Sequence, residues 1–252
     1  MRFPRAQFST TDVAPSHLQR CLMAKAALVT GGSSGIGLAI ARMLREEGFD
    51  LTLAARTREK VEAVAAELDA LAVTADVSKE DDCRRAVAEH ENKHGRLDVL
   101  VNSAGMGIAG AIDEMPAKHI DLQLAVNLRG LMIVTGAALP MLRKVHGLIV
   151  NLASIAGTVP SVQLPVYGAT KAAVIQFTTT LNRGEEEHGV RATALSPGFV
   201  ATPMSEFAPI SQEKMIRPED CAEVVRALLR LSPPARIPNI VIERVDSSEF
   251  GG

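Results

Sequence analysis

A short apolar run, Ala26 to Thr30, leads into Thr30-Gly31-Gly32-Ser33-Ser34-Gly35-Ile36-Gly37, and a helical pattern follows from Gly35 to Glu47. Glycines between a strand and a helix build a turn whose backbone can lie against a phosphate, with the helix N-terminus favouring the negative charge. Gly31 permits the tight turn, Gly35 lets the backbone approach, and Gly37 lets helix and strand pack closely. The spacing is Gly-x-x-x-Gly-x-Gly rather than the commoner Gly-x-Gly-x-x-Gly. Its strand-turn-helix context predicts a dinucleotide site.

Beyond that turn, short aliphatic runs alternate with longer helical patterns, the mark of parallel βαβ units. Strands are expected over 26–30, 51–54, 71–75, 99–102, 148–152, 190–195 and 240–242. Several are apolar on both faces, as a sheet covered by helices requires. Helices are expected over 35–47, 58–68, 79–93, 116–145, 164–187 and 218–231.

With 27 basic and 29 acidic residues the chain has no basic footprint for nucleic acid. No uncharged apolar run approaches membrane-spanning length, so a soluble domain and a small-molecule partner are expected, with neither nucleic acid nor membrane. Cys21, Cys83 and Cys221 are odd in number and widely spaced. That argues against a disulfide framework and for a reducing, cytoplasmic setting. Residues 1–23 are polar and aperiodic, and Met23-Ala24-Lys25 runs straight into the first strand. The first segment is therefore expected to be a disordered extension, with Met23 as the natural start and residues 24–252 as one domain.

The single tyrosine, Tyr167, lies four residues before Lys171, so on a helix the two share a face. Ser154 sits thirteen residues upstream of it. Moving a hydride to a carbonyl creates an alkoxide that needs a proton, and a phenol beside an ammonium suits that task. The nearby cation, together with oxidised nicotinamide, is expected to lower the phenol pKa from its ordinary value near 10.

Taken together these motifs resemble the short-chain dehydrogenase/reductase family over essentially residues 25–242. Thr-Gly-x-x-x-Gly-x-Gly is matched in full, and Asp76-Val77 matches the family's adenine-side Asp. Asn102-Ser103-Ala104-Gly105 resembles its Asn-Asn-Ala-Gly turn, with Ser103 in place of the second Asn. Asn127, within Val126-Asn127-Leu128, matches the catalytic Asn, and Pro197-Gly198-Phe199-Val200-Ala201-Thr202 matches the segment that closes over nicotinamide. The resemblance implies a single-domain doubly wound Rossmann fold, with a seven-stranded parallel sheet flanked by helices. It implies a catalytic tetrad of Asn127, Ser154, Tyr167 and Lys171, in which Lys171 also holds the nicotinamide ribose, Ser154 orients the substrate oxygen and Asn127 supports a water relay. Nucleotide contacts are expected from Gly31, Ser33, Ser34, Gly35, Ile36, Gly37, Arg56, Asp76, Val77, Asn102, Ala104 and Gly105. Tyr167, Lys171, Pro197, Gly198, Val200 and Thr202 complete the set. The family often assembles through its two long helices, which implies a homodimer or homotetramer.

At the end of the second strand, where an acid would bind the ribose 2′-hydroxyl of NAD, stands Ala55, followed by Arg56. A guanidinium there suits a 2′-phosphate, with Thr57, Arg58 and Lys60 near it, so NADP is expected, with NAD as the alternative. Asp50 lies at the wrong end of the strand to change this. His90-Glu91-Asn92-Lys93-His94 spells a zinc-protease motif, but it falls at a helix end before Gly95 and lacks a third ligand, so no metal is expected. Glu185-Glu186-Glu187 reads as a solvated helix face. The expected substrate is a largely apolar ketone or alcohol, in a pocket lined by Met106, Ile108, residues 159–164 with Gln163 as their polar member, and residues 204–215. The alternatives are a non-catalytic NADP-binding sensor or scaffold, or an epimerase or dehydratase of the same fold.

Overall fold

The computed structural model describes residues 24–206, 208 and 210–245; the expected extension over residues 1–23 lies outside the described residues. Seven strands form: β1 Ala26–Thr30, β2 Asp50–Ala55, β3 Leu71–Thr74, β4 Val99–Asn102, β5 Leu148–Leu152, β6 Arg191–Pro197 and β7 Asn239–Ile242. The helices are α1 Gly35–Glu46, α2 Arg58–Glu67, α3 Glu80–His94, α4 Ala117–Leu124, α5 Leu131–Val145, α6 Pro165–Gly184 and α7 Pro218–Leu229. Every neighbouring strand pair is parallel, in the order β3-β2-β1-β4-β5-β6-β7. The expected doubly wound Rossmann-type sheet is the fold that forms.

Period-two alternation along the strands divides the core into two layers. Val29, Leu53, Val101 and Val150 pack with Ile40 and Leu44 of α1 and Val225 of α7. Leu28, Leu100 and Ile149 face the other way, onto Val134, Met141 and Leu142 of α5. The first three strands step outward from β1, and β4 then returns to its opposite side. Such a reversal opens a crevice beyond the C-terminal ends of β1 and β4.

Two local expectations need correction. The helix expected over 116–145 is broken by a π-helical turn, Ala125–Gly130, between α4 and α5. The wider turn lets the Asn127 side chain reach the backbone of Met106. Ala117–Val145 is also long and apolar enough to cross a membrane by length and composition. Within it Leu131, Val134, Ala138, Met141 and Leu142 are buried in the core, while Leu122, Leu124 and Met132 are exposed. Glu185 is not a solvated group: it is buried, and Arg143 grips both carboxylate oxygens at 2.7 Å, joining the end of α6 to α5. That pairing holds the Glu185 carboxyl below its ordinary pKa.

The His-Glu-x-x-His sequence serves packing. His90 is fully buried, with Nδ1 2.8 Å from Thr52 Oγ1 and Nε2 2.9 Å from the Arg96 carbonyl. A carbonyl only accepts, so Nε2 carries the proton and Nδ1 accepts from Thr52 in the neutral ring. Gly95, at φ 64°, ends α3 as expected, and its amide donates to the Glu91 carbonyl at 2.7 Å. Burial lowers the His90 pKa to about 4. An unfolded chain titrates near 6.5 and binds the proton first, so the fold loses stability as pH falls from about 6.5 to 4, by on the order of 3 kcal/mol. Urea unfolding across this range checks the expectation: His90→Gln should flatten the acid-side decline, and an unchanged slope would contradict it.

Candidate active site

The crevice between β1 and β4 depends on close backbone approach. Gly31 has φ +69°, and a Cβ there would stand 2.7 Å from the Ala104 amide nitrogen. Gly37 packs against the Gly31 carbonyl, whose carbon would lie 2.9 Å from an added methyl. Thr30 adds a side-chain tie, its hydroxyl accepting from the Ala104 amide at 3.3 Å. Ser34 caps α1 without a side-chain hydrogen bond, so the first-turn amides have no capping acceptor from this residue.

A cavity of about 710 Å³ fills the crevice. All the expected nucleotide residues line it except Gly37 and Asn102. Gly37 acts by packing, as its position predicts. Asn102 works from within: it is buried, and its Nδ2 donates to Thr135 Oγ1 at 3.0 Å and to Asn151 Oδ1 at 2.9 Å. Asn151 in turn donates to Thr178 Oγ1 at 2.9 Å, so one polar chain crosses from α5 through β4 and β5 to α6. At the other end of the crevice, Ser78 donates its amide and hydroxyl to Asp76 Oδ1 at 3.0 and 2.7 Å. Arg56 is exposed, lines the cavity and has no hydrogen bond or ion pair among the described residues. Arg58 turns away, within 3.7 Å of Glu62.

Ser154, Tyr167 and Lys171 meet in the same cavity, with Asn127 behind them. Ser154 follows β5, accepts the Ala156 amide at 3.2 Å and donates to the Pro197 carbonyl at 3.4 Å. Lys171 is buried one turn along α6 from Tyr167; its Nζ donates to the Leu152 carbonyl at 2.6 Å and lies 5.5 Å from the Tyr167 ring centroid. Asn127 donates to the Met106 carbonyl at 2.8 Å and to Thr170 Oγ1 at 3.1 Å, while its Oδ1 accepts the Met106 amide at 2.8 Å. Burial pushes the Lys171 pKa down to about 8. Without nicotinamide in the crevice, burial raises the Tyr167 pKa, and a hydrogen bond with Ser154 only partly offsets the rise. The Lys171 ammonium is directed to the Leu152 carbonyl and lies over the face of the ring.

The substrate end also differs in detail. Met106, Val159, Pro160, Leu164 and Met204 line it, but Ile108, Gln163 and Met215 do not. The Ile108 amide donates to Gln123 Oε1 at 3.1 Å, and the Gln163 carbonyl accepts the Gly110 amide at 3.1 Å. Ser161 takes the polar place assigned to Gln163, and Glu243 and Arg244 bring charge from beyond β7. Parallel pairing sets Ile242 beside Pro197, so the residues after Ile242 reach the mouth of the crevice.

A family model for short chain dehydrogenases matches residues 25–212. The chain belongs to the short-chain dehydrogenase family. An uncharacterized oxidoreductase of Staphylococcus epidermidis is 37% identical over 219 residues, covering 84% of this chain and 93% of its own. Among solved structures, the alcohol dehydrogenase of the archaeon Thermococcus sibiricus, complexed with 5-hydroxy-NADP, aligns with a TM-score of 0.82 at 29% identity, over 88% of this chain and 97% of its own. The 3-ketoacyl-(acyl-carrier-protein) reductase of Brucella melitensis, complexed with NADH, aligns at 0.81 and 30% identity, over 88% and 98%. A short chain dehydrogenase of Burkholderia cenocepacia in complex with NADP gives 0.80 and 31%, over 87% and 96%. This short-chain dehydrogenase is thus an NAD(P)-dependent oxidoreductase.

In this family member Asn102 is expected to support the sheet rather than the nucleotide. Asn102→Ala should lower unfolding free energy by about 2 kcal/mol, through the unpaired Thr135 and Asn151 left behind. Denaturant unfolding and nucleotide titration of the same variant separate the two roles: lost affinity at unchanged stability would refute the assignment.

Proposed function

We propose that this short-chain dehydrogenase is an NADP-dependent oxidoreductase of ketones and alcohols in which Tyr167 is the proton donor and acceptor. The observation that carries the reading is the convergence of Ser154, Tyr167 and Lys171 in one cavity with the glycine turn. The glycine cradle fits a nicotinamide dinucleotide, because side chains at Gly31 or Gly37 would fill the space that close backbone approach requires. When bound, the nicotinamide supplies or accepts the hydride. Residues 24–252 are taken as one catalytic domain, with 1–23 as an extension.

Tyr167, kept neutral by its raised pKa, delivers its phenolic proton to the carbonyl oxygen and takes it back in the oxidative direction. Ser154 orients the substrate oxygen, and its hydrogen bond to the phenol opposes part of the burial effect. Lys171 provides positive charge beside the ring and holds the ribose. Asn127 fixes the Met106 backbone and supports the water relay to Lys171. Arg56 supports NADP over NAD, since it is a cavity-lining guanidinium with no internal partner among the described residues, beside an Ala where an acid would favour NAD. The apolar side chains Val159, Leu164 and Met204 support a substrate with an apolar body. Exposed Leu122, Leu124 and Met132 on α4 and α5 support assembly as a homodimer or homotetramer, and the free buried thiols Cys83 and Cys221 suit the cytoplasm.

Two measurements test this reading. In carbonyl reduction, kcat/KM should decline as pH rises through about 8, where Lys171 loses its charge, and Tyr167→Phe should cost about 10²- to 10⁴-fold. A fully active Tyr167→Phe enzyme would remove Tyr167 from the chemistry. Fluorescence titration should find NADPH bound more tightly than NADH, and Arg56→Ala should weaken NADPH about tenfold or more while leaving NADH nearly unchanged. Equal losses for both nucleotides would contradict the assignment of Arg56 to the 2′-phosphate.

A further inference from the structure

The π-helical turn touches the adenine side of the crevice at its last residue. A methyl group on Gly130 would overlap the Val77 carbonyl oxygen, so that something must shift, and would stand 3.0 Å from the carbonyl carbon. Cys83 of α3 clasps the same junction, its thiol 3.2 Å from the Val77 carbonyl oxygen and 3.9 Å from that of Gly130. Val77 is poorly placed to yield. The preceding Asp76 amide donates to Asp82 Oδ2 at 2.9 Å, and Ser78 on the other side is bonded to Asp76. α5 is anchored by five buried apolar side chains from Leu131 onward.

The remaining freedom lies in the turn itself, which carries Asn127. Asn127 grips Met106 through both its amide and its carbonyl. The next residue, Gly107, faces the Tyr167 ring across room for one methyl group, since a Cβ added there would stand 3.4 Å from Cδ2. Asn127 also donates to Thr170 Oγ1 at 3.1 Å, and that hydroxyl donates to the Tyr167 carbonyl at 2.7 Å. A chain of links therefore runs from Val77 through Gly130 to Asn127, and from Asn127 both to the Met106–Gly107 backbone that faces the Tyr167 ring and, through Thr170, to the Tyr167 carbonyl. We propose that Gly130 is a positioning residue: lacking a side chain, it seats the π-helical turn on Val77 and so holds Asn127, and through it the Met106–Gly107 backbone and Thr170, in place around Tyr167. The inference rests on the reading of Tyr167 as proton donor, because it concerns the wall of that residue's site.

The composition supplies a test that needs no substrate. With one tyrosine in the chain, protein labelled with ¹³C at tyrosine Cζ gives a single phenol resonance. In full-length Gly130→Ala the Tyr167 titration midpoint should fall by about half a pH unit or more toward the ordinary phenol value, as the ring gains access to water. Gly136→Ala, at an open helix position with nothing within 4 Å, should leave the midpoint in place. Cys83→Ala releases the clasp without adding bulk; it should shift the midpoint the same way by less, and it decides the matter if Gly130→Ala does not fold. A folded Gly130→Ala protein with the wild-type midpoint would overturn the positioning role, as would an unmoved midpoint in Cys83→Ala when Gly130→Ala fails to fold. Either result would leave the assignment of Tyr167 untouched, whereas full reductase activity in Tyr167→Phe would remove that assignment whatever Gly130 does.

Discussion

The contact of Gly31 with the backbone of Ala104 sets the terms for the rest of the site. It brings the end of β1 and the loop after β4 closer than any side chain would permit. Thr30 ties the same two segments through the Ala104 amide, and Gly37 lets α1 begin immediately beside them. A wider separation would leave the first-turn amides of α1 too far from the opposite wall to share one ligand. The nucleotide crevice is therefore a product of sheet topology joined to two absent side chains, those of Gly31 and Gly37.

On the catalytic side, position is set by buried polar bonds rather than by glycine. Asn102, Asn151, Thr135 and Thr178 connect two strands with the helices on either side of them. Lys171 reaches back to the Leu152 carbonyl of β5, the strand whose end presents Ser154. In a low-dielectric interior such bonds are directional and costly to break, so they fix distances between elements more sharply than apolar packing does. Burial also shapes the chemistry, raising the phenol and lowering the ammonium pKa. The two groups, nearly equal in proton affinity as free side chains, are thus moved apart, with the ammonium the readier to give up its proton.

Much of this was legible in the sequence, and the limits are physical. Strands such as Leu148–Leu152 announce themselves because both faces are buried, and the glycine turn because φ and close approach admit few other residues. The π-helical turn could not be read, since the apolar pattern runs on through it and one extra residue per turn leaves no compositional trace. Glu185 looked solvated because its partner, Arg143, is remote in sequence and meets it only when α5 and α6 pack. Asn102 carried the right motif, but only the sheet register shows its side chain between Thr135 and Asn151. Glu243 and Arg244 were missed for the same reason: their place at the crevice follows from the pairing of β7 with β6.

The reversal of strand order also bears on how the chain comes together. β1, β2 and β3 can pair as soon as the first β-α units exist, but β1 joins β4 across a span such as the 72 residues between Ala26 and Asp98. Closing that loop is an entropic barrier that local contacts do not relieve, so the β1–β4 seam is a late event in assembly. Until then β1 is an open edge, apolar but for Thr30, the kind of surface on which nascent chains stick to one another. Because the ligand crevice exists only once the seam is closed, a bound nucleotide draws the population toward the completed sheet by mass action. The cofactor thus has a second part to play, as a selector of correctly assembled chains.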